Sequence, residues 1–458
     1  MQLPQEFEQR MRRLLGENFA AFMDGYELPL RRGLRVNTVK LSVADFSQVF
    51  PHSLSPSPFA ADSFYVDADF KAGKDPLHHA GIYYMQEPSA ASAVAVLNPQ
   101  PGEWVLDLCA APGGKSTQIA TALRGDGLLW SNEYVSARAR ILQQNLERWG
   151  ARNCIVSNQD TAVLCDGLTG MFDAVLVDAP CSGEGMFRKE PQALEEWSMD
   201  NIRLCASRQD EILRNAAKAI HPGGRLVYST CTFAPEENEG AIARFLSEHP
   251  DFTLEPIDVS WGCSGFDAKA IRSFCPEVHI DADLTRCRRI FPQHGGEGHF
   301  IALLRRQGEH LPHRPTYVPP AKDAWQQSAK ELYADCFTDI VDGLLLTTGD
   351  QVRLIPSRMP TAKGLGILSA GVPVATVCKN RLEPHHGIFI ASRKEDCQRH
   401  IDFAPTDPLL HAFLHGEEIP CDGAKGWTAV CVCGVPVGFG KVSGGKLKNR
   451  YPKGLRLL

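Results

Sequence analysis

Two cysteines and an aspartate stand where neighbouring strands of the predicted sheet end. Asp178 and Cys181 follow the apolar run at 174–177, and Cys231 follows the run at 225–229. Because open α/β sheets place their chemistry at the carboxyl ends of parallel strands, we expect the two thiols and the carboxylate to converge. An isolated cysteine is usually a small buried hydrophobe, but two thiols beside a carboxylate form a set suited to covalent catalysis.

A glycine-containing loop precedes these residues along the chain. The buried-strand pattern Val105–Leu108 leads into the turn Cys109–Gly114 and then into the helix-like run Thr117–Leu123. A strand, a tight turn and a helix start are how open α/β sheets hold a cofactor. A phosphate-binding P-loop would need glycine at Cys109, and the dinucleotide pattern G-x-G-x-x-G is absent. The turn therefore favours an adenosyl-methionine loop, which needs only a close backbone and nearby carboxylates.

A carboxylate suited to such a ligand follows the next predicted strand. Glu133 comes after the run Leu128–Ser131, about 20 residues beyond the glycines, where an acid can bind a ribose hydroxyl pair. Asp107 is a weaker candidate, because an acid at a strand end can simply stabilise the turn. An ordinary strand–turn–helix unit without a ligand remains the alternative for the whole segment.

The middle of the chain alternates strand and helix patterns, which is typical of a parallel sheet covered by helices. The predicted strands are Val105–Leu108, Leu128–Ser131, Cys154–Val156, Ala174–Val177, Arg225–Ser229 and an antiparallel Gly298–Leu304. The predicted helices are Thr117–Leu123, Ser136–Trp149, Met199–Ala219 and Glu236–Glu248. The fold class expected from this alternation is α/β, with a Rossmann-like parallel sheet.

The two ends of the chain have different patterns from the middle. Residues 1–75 combine a helical period over 6–22 with a strand at 34–41, which predicts a small α+β domain. The catalytic domain is expected at 76–308, beginning with the string Ile82–Ser89, and a proline-containing linker at 309–335. Residues 336–458 carry short strands with Gly-Pro turns, including a weak repeat at 371–374 and 434–437, and predict a β-rich domain.

Composition narrows the class of protein. With 458 residues, the chain should form two or three domains. Its apolar runs are too short to cross a membrane, so no membrane association is expected. The 15 cysteines lack paired spacing, which indicates reduced thiols in the cytoplasm. Cys431 and Cys433 with Cys421 lack a second pair or a histidine that would complete a zinc site, so no metal is predicted.

The net charge of −6 does not itself indicate nucleic-acid binding, but basic residues cluster at both ends. Each cluster alone could be an ordinary solvated surface, whereas two clusters flanking a catalytic core favour an RNA-binding track. The N-terminal cluster comprises Arg10, Arg12, Arg13, Arg31, Arg32, Arg35 and Lys40. The C-terminal cluster comprises Lys441, Lys446, Lys448, Arg450, Lys453 and Arg456.

Three strings in fixed order carry a resemblance to a known family. DLCAAPGGKST at 107–117, DAPCSGEG at 178–185 and STCTFAPEENE at 229–239 resemble the RNA 5-methylcytosine methyltransferases, and most of all their bacterial RsmF-type branch. The resemblance spans nearly the whole chain and is strongest over Tyr83–Arg306. It implies an N-terminal RNA-positioning domain, an adenosyl-methionine-dependent catalytic domain and a C-terminal PUA-like RNA-binding region.

The resemblance also assigns roles to the two thiols, which spacing alone leaves open. DNA 5-methylcytosine enzymes use the cysteine of a Pro-Cys pair, which would select Cys181. The RNA family uses the cysteine of a Thr-Cys pair, so Cys231 is the expected nucleophile and Cys181 is expected to assist release. Asp178 is expected to hydrogen-bond the cytosine edge. Lys115 either lowers the pKa of a thiol or only orders the cofactor loop.

S-adenosyl-L-methionine is the cofactor that the resemblance implies. The residues expected to bind it are Cys109, Ala110, Ala111, Pro112, Gly113, Gly114, Lys115, Glu133, Asp160 and Asp178. Arg188 and Lys189 are either phosphate contacts or part of a solvated turn.

The function expected is methylation of carbon 5 of one cytosine in 16S rRNA, by a monomer acting on the RNA or the small ribosomal subunit. A tRNA or multi-site RNA enzyme with the same chemistry is an alternative. A non-catalytic RNA-binding assembly factor is a second alternative, disfavoured by the thiols. A DNA methyltransferase is disfavoured by the Thr-Cys pair.

Overall fold

A ten-stranded sheet forms the centre of the part of the chain that the computed structural model describes, namely residues 3–278, 281–309, 312, 314, 323–339, 343–356, 359–361 and 363–457. Its five parallel strands, in spatial order, are Ile220–Thr230, Phe172–Asp178, Trp104–Asp107, Leu128–Asn132 and Cys154–Ser157. The apolar runs within these strands are buried, as expected for a parallel sheet covered on both faces.

Antiparallel strands extend the sheet on the side of Ile220–Thr230. They are His299–Arg306, Arg288–Ile290, Cys263–Ser264 and Phe252–Glu255. Helices cover the faces of the sheet. The main ones are Ser92–Leu97, Gly114–Leu123, Ser136–Trp149, Thr161–Gly167, Met199–Ala219 and Glu239–Glu248, with shorter helices at Pro191–Glu196 and Ala268–Ile271.

The local sequence accounts for the two longest of these helices. Ser198 accepts a hydrogen bond from the Asn201 amide at the start of Met199–Ala219, which is an N-cap. Helix Ser136–Trp149 ends at Gly150, whose φ of 82° belongs to the left-handed conformation that glycine adopts readily. Both helices have the bounds predicted from the sequence.

The N-terminal region forms two helices and a small sheet. Helices Gln5–Leu15 and Phe19–Glu27 replace the single helical period expected over 6–22, because Gly16 has a φ of 53° and ends the first helix. Their aromatic side chains pack against the central core, with the Phe7 ring 5.1 Å from that of Phe187. Further along lies the short helix Val43–Val49.

The N-terminal sheet extends further along the chain than expected. Its strand order is Ser55–Pro56, Ser63–Val66, Arg32–Val36 and Tyr83–Met85. We placed the string Ile82–Ser89 at the start of the catalytic domain, but the backbone of Tyr83–Met85 pairs antiparallel with Arg32–Val36. The short helix Pro76–His79 leads into this last strand. The domain boundary expected after residue 75 therefore lies before residues whose strand belongs to the N-terminal sheet.

The C-terminal region contains two further sheets. The first has the order Leu344–Thr348, Gln351–Ile355, Val372–Cys378 and Arg381–Pro384. The second has the order His400–Phe403, Gly426–Val432, Val435–Ser443, Lys446–Asn449 and Ile419–Pro420. Helices His386–Ile390 and Pro408–His415 accompany them. The two similar sequence strings therefore belong to strands of different sheets.

Two C-terminal segments differ from the expected organisation. Within the linker expected at 309–335, the described helix Gln326–Cys336 buries Tyr333 and Cys336 against the C-terminal core, so it is part of that fold. Strand Ile367–Ala370 pairs with Cys154–Ser157 and completes the central sheet at its edge. The C-terminal region is thus joined to the catalytic sheet by backbone hydrogen bonds.

The fold class predicted from the sequence is confirmed: a Rossmann-like sheet with an α+β N-terminal domain and a β-rich, PUA-like C-terminal region. No helix among the described residues is both long and apolar enough to span a membrane.

Candidate active site

The site lies at the switch point of the central sheet. From Trp104–Asp107 the chain first adds two strands on one side, and it later adds Phe172–Asp178 on the other side. Ligands of open α/β sheets bind at the carboxyl ends of the two strands that flank such a point. The glycine loop follows the first of these strands, and Asp178 ends the second.

The two cysteines meet at this edge. The Sγ atoms of Cys181 and Cys231 lie 3.3 Å apart, within hydrogen-bonding distance for sulfur, and both residues are half-buried. The hydrogen bond with Cys231 and burial together raise the pKa of Cys181 well above its usual value. Cys181 is therefore a thiol at neutral pH, and either sulfur can be the donor in the contact between them.

Asp178 lies beside the thiols with both carboxylate oxygens in use. Oδ2 accepts a hydrogen bond from Lys115 Nζ at 2.8 Å, and Oδ1 accepts one from Ser229 Oγ at 2.8 Å. Burial acts to raise the pKa of Asp178, but the charge of Lys115, the interaction with His299 and these two hydrogen bonds lower it overall. Asp178 is thus an ionised carboxylate with about a third of its side chain exposed.

The contact with Asp178 bears on the role of Lys115. The Lys115 ammonium group forms its ion pair with Asp178, which compensates its charge. Its hydrogen bond within the described residues goes to the carboxylate and not to a sulfur. The geometry thus favours the second of the two roles open for Lys115, which is ordering the residues around the cofactor loop.

A buried carboxylate supports the backbone next to Cys181. Glu237 accepts hydrogen bonds from the amide of Ser182 at 3.0 Å, from the Ser182 hydroxyl and from Gln209 Nε2 at 2.8 Å. Burial raises the pKa of Glu237 to about 8. These contacts fix the position of the chain immediately after the thiol.

A second buried carboxylate, that of Glu184, supports the backbone next to Cys231. Glu184 accepts hydrogen bonds from Thr232 Oγ1 at 3.0 Å, from the Phe233 amide at 2.9 Å and from Trp197 Nε1 at 2.9 Å. The hydroxyls of Ser182 and Thr232 lie 2.8 Å apart and join the two carboxylates into one network. We did not single out these residues from the sequence, although all but Trp197 lie in the strings DAPCSGEG and STCTFAPEENE.

The glycine loop has the shape of a ligand cradle. Gly113 has a φ of 113°, which only glycine adopts readily, and it begins helix Gly114–Leu123. A Cβ on Gly114 would lie 3.3 Å from Tyr84 and from Gln86, tighter than an ordinary contact. Substituting either glycine would therefore disturb the close approach of backbone that an adenosyl-methionine site requires.

Side chains from the following helix hold this loop from behind. Asn145 donates to the Pro112 carbonyl at 2.7 Å, and Arg138 donates to the Ala111 carbonyl at 2.9 Å. The Ala110 amide donates to the Asn132 carbonyl at 2.8 Å. The backbone of the predicted cofactor residues 109–115 is therefore preorganised, and Cys109 is half-buried beneath it.

The predicted acidic ligands stand at the ends of the next two strands. Glu133 is buried after Leu128–Asn132, and its Oε1 accepts from the Val135 amide at 2.8 Å. Asp160 follows Cys154–Ser157 and is exposed, and its Oδ1 caps helix Thr161–Gly167 by accepting from the Ala162 amide at 2.8 Å. Both lie on the cofactor side of the sheet, and their binding roles remain predictions.

Asp107 lies buried below the cofactor loop. Its Oδ2 accepts from Ser116 Oγ at 2.6 Å, whereas its Oδ1 is buried without a hydrogen-bond partner among the described residues. Burial raises the pKa of Asp107 to about 7. The orphaned oxygen, the glycine cradle and the acids on adjacent strand ends fit a polar ligand without phosphate groups.

Several basic residues that we assigned to an RNA-binding track are used inside the protein. Arg35 is fully buried and donates to Gly114 O at 3.1 Å. Lys40 donates to Ala80 O at 2.7 Å, and burial together with the Arg148 charge lowers its pKa to about 7. Arg10 pairs with Glu236 at 2.8 Å. The sequence alone does not reveal these internal contacts, because it does not distinguish a buried arginine from an exposed one.

The turn after the first thiol string is also internal. Arg188 pairs with Glu297 at 2.8 Å and donates to Leu28 O at 2.7 Å, so it holds the N-terminal helices rather than facing solvent. Within the described residues no group of three or more His, Cys, Asp or Glu side chains is placed to hold a metal ion.

The fold and this site define a class I adenosyl-methionine-dependent methyltransferase. Comparison with known proteins identifies the family: the chain belongs to the RsmF family of ribosomal RNA small subunit methyltransferases. The family descriptions "16S rRNA methyltransferase RsmB/F", "N-terminal domain of 16S rRNA methyltransferase RsmF" and "Methyltransferase RsmF PUA domain" match residues 94–305, 3–88 and 401–457. The protein is therefore an RNA methyltransferase with adenosyl-methionine as cofactor.

Full-length relatives support this assignment. The chain is 32% identical to ribosomal RNA small subunit methyltransferase F of Shewanella sp. (strain MR-4), covering 95% of this chain and 92% of that one. It is also 32% identical to the enzyme of the same name from Escherichia coli O17:K52:H18 (strain UMN026 / ExPEC), covering 99% and 96%.

Solved structures agree with the fold. A methyltransferase homolog protein from Pyrococcus horikoshii is 31% identical, with a TM-score of 0.58 over 66% of this chain and 95% of that one. NSun6 from the same organism, solved with SFG, has a TM-score of 0.55 at 22% identity over 67% of this chain and 99% of that one, a likeness of fold.

Proposed function

We propose that this protein methylates carbon 5 of a specific cytosine in 16S rRNA, acting as a cytoplasmic monomer through a covalent cysteine adduct. The observation that carries the proposal is the pair of sulfurs 3.3 Å apart, beside an ionised aspartate and next to the cofactor loop. The relatives named for rRNA small subunit methylation support the choice of RNA. A binding factor without catalysis would gain nothing from this arrangement.

The chemistry explains why a thiol is needed. Carbon 5 of cytosine is too weak a nucleophile to take a methyl group unaided, and addition of a thiolate at carbon 6 makes carbon 5 enamine-like. Adenosyl-methionine supplies the electrophilic methyl group. Residues 109–115, Glu133, Asp160 and Asp178 would hold it, in agreement with the cradle and the acidic strand ends described above.

The thiol pair can divide the reaction between its two members. Cys231 Sγ adds to carbon 6, and after methylation the carbon 5 proton must leave as the bond from carbon 6 to sulfur breaks. The hydrogen bond to Cys231 is the largest cause of the raised pKa of Cys181. Addition of Cys231 to the base removes this contribution, whereas burial still raises the pKa. With its Sγ 3.3 Å from the attacking sulfur, Cys181 is proposed to assist release by helping to remove the carbon 5 proton.

Asp178 is proposed to orient the base and to stabilise the charge that develops on it. Asp178→Asn keeps the shape but removes the negative charge beside the pyrimidine edge, so we expect kcat to fall about 10²–10³-fold. Single-turnover methylation of unmodified rRNA measures this loss. Asp166→Asn, which changes an exposed aspartate paired with Lys218, is the matched control. A kcat for Asp178→Asn within twofold of wild type would remove Asp178 from the mechanism.

The C-terminal region presents an exposed basic surface. Lys446 and Lys448 alternate on strand Lys446–Asn449, so they share one face, and Lys441 lies opposite Lys448 in the neighbouring strand. Lys441 also lies 4.7 Å above the Trp427 ring. These exposed cations fit the phosphate backbone of RNA, in contrast to Arg35 of the N-terminal cluster, which is buried.

Neutralising this surface should weaken RNA binding in a salt-dependent way. For the double variant Lys446→Ala and Lys448→Ala, we expect the slope of log affinity against log salt to become shallower by about 1.5, because two phosphate contacts are lost. Filter binding of rRNA between low and physiological salt measures the slope. Lys218→Ala, which removes a cation paired with Asp166, should leave it unchanged. An unchanged slope in the double variant would exclude this surface from RNA binding.

Bisulfite sequencing of total RNA from cells with and without the gene tests the proposed function. We expect one 5-methylcytosine to disappear from 16S rRNA and to return when the gene is restored. Loss confined to tRNA would replace the proposed substrate while keeping the chemistry. No lost site in any RNA would contradict the proposal.

A further inference from the structure

One histidine stands at the catalytic edge without a described partner. His299 is the first residue of strand His299–Arg306, which runs antiparallel to Ile220–Thr230. Phe300 lies opposite Thr230 in this pairing. His299 is therefore level with Cys231, the residue that follows Thr230, at the same edge of the sheet.

The surroundings of His299 leave one ring nitrogen unused. The residue is 4% exposed, and its Nε2 is buried without a hydrogen-bond partner among the described residues. Asp178 Oδ1 lies 3.9 Å from Nε2, which is too long for a hydrogen bond. A buried polar atom left unpaired costs free energy, so it points to a group that arrives with a ligand.

The neighbouring groups are already committed to one another. Asp178 accepts from Lys115 and Ser229, as described above. Glu87, the other carboxylate that acts on His299, accepts from the Glu297 and Ala90 amides. None of these contacts uses Nε2 of His299.

The ring is neutral at physiological pH. Burial and the nearby Lys115 charge lower the pKa of His299 to about 4, against the opposing effects of Asp178 and Glu87. A neutral imidazole has one nitrogen without a proton, and in the tautomer protonated at Nδ1 the unpartnered Nε2 is a hydrogen-bond acceptor.

We propose that His299 is a specificity-determining residue whose Nε2, together with Asp178, receives the 4-amino group of the target cytosine. In that tautomer, Nε2 and Asp178 Oδ1 are two acceptors 3.9 Å apart, which suits an amino group with its two N–H donors. Uracil has an oxygen there and offers none, so it would leave both acceptors unpaired. This inference rests on the proposed function, since it concerns the same pyrimidine.

The test uses transcripts of the RNA that carries the bisulfite-mapped cytosine. In one transcript every cytidine is 5-fluorocytidine. Cys231 adds at carbon 6 and the methyl group transfers to carbon 5, but fluorine replaces the proton that must leave, so the adduct persists. In the other transcript the target is uridine and every uridine is 5-fluorouridine. The rate of denaturant-resistant adduct is measured for wild type and for the variants His299→Leu, His299→Gln and His299→Asn.

We expect His299→Leu to slow adduct formation on the fluorocytidine transcript about 10- to 100-fold, because one buried hydrogen bond to the base is lost. The rate on the fluorouridine transcript should not fall further, so discrimination between the two bases drops. His299→Gln should recover most of the rate, because its terminal amide reaches the position of Nε2. The shorter His299→Asn should not recover it.

Melting temperature and adenosyl-homocysteine affinity separate this role from a structural one, and both should match wild type in His299→Leu. Equal losses on both transcripts, a lost cofactor affinity, or a wild-type rate on fluorocytidine RNA would each overturn the assignment of His299. If wild type itself forms no adduct with fluorocytidine RNA, the proposed function fails and not this inference alone.

Discussion

Replacing Cys231 with serine is expected to lower methylation of the target RNA by at least about 10³-fold, because the hydroxyl is a far weaker nucleophile than the thiolate. The loss should appear in kcat rather than in RNA affinity, since the side chain keeps its size. Incorporation of labelled methyl groups into unmodified rRNA measures it. Cys378→Ser, in the C-terminal sheet and outside the site, should keep wild-type activity.

Replacing Cys181 gives the complementary result. Cys231 can still add to carbon 6 in Cys181→Ser, but the group proposed to take the carbon 5 proton is missing. We therefore expect an RNA-linked protein band that survives denaturant. Linkage in Cys231→Ser and none in Cys181→Ser would reverse the two roles.

The second large effect concerns stability. Arg289 and Glu239 form a bidentate ion pair in which both side chains are buried, with nitrogen–oxygen distances of 2.7 and 2.5 Å. Arg289 Nη1 also donates to Phe233 O at 2.9 Å, two residues after Cys231. The pair thus connects the antiparallel part of the sheet to the backbone that carries the nucleophile.

Breaking this pair should be costly, because Glu239→Gln leaves a buried guanidinium charge uncompensated. We expect the free energy of unfolding to fall by roughly 3–5 kcal/mol, measured by urea denaturation. Asp200→Asn, which breaks the exposed pair with Arg203, should change it by less than about 0.5 kcal/mol. A loss below about 1 kcal/mol for Glu239→Gln would mean that the charge is compensated by other groups.

Replacing both partners with apolar side chains distinguishes the effect of an unpaired buried charge from the effect of lost packing. In the double variant Glu239→Leu and Arg289→Met no charge is left buried, so it should be more stable than Glu239→Gln alone. If the double variant is equally unstable, the loss comes from packing rather than from an unpaired charge.

The central sheet could be predicted well because each of its strands and helices is marked by a pattern within its own segment of the sequence. Each parallel strand contains a short apolar run, and the two longest helices have clear periods with a cap or a glycine at one end. Pairings between distant segments were not visible. The pairing of Tyr83–Met85 with the N-terminal sheet and of Ile367–Ala370 with Cys154–Ser157 joins segments that no pattern connects.

The same distinction applies to the site. Strand ends and a glycine turn could be read from sequence, so the thiols, Asp178 and the cofactor loop were predicted to lie together. The groups that support the site could not be predicted in this way. From the sequence, Glu184 and Glu237 would be taken for surface acids. Both are buried, and their hydrogen bonds fix the backbone beside the thiols. His299 reads as an ordinary strand residue, and only the burial of its Nε2 singles it out.

The central claim is that two neighbouring sulfurs act in turn on one cytosine. The most direct measurement is mass spectrometry of the nuclease- and protease-digested complex trapped with Cys181→Ser. We expect one nucleotide bonded to the peptide that contains Cys231, carrying the mass of an added methyl group. A nucleotide on any other residue, or a trapped complex without a covalent bond, would contradict it.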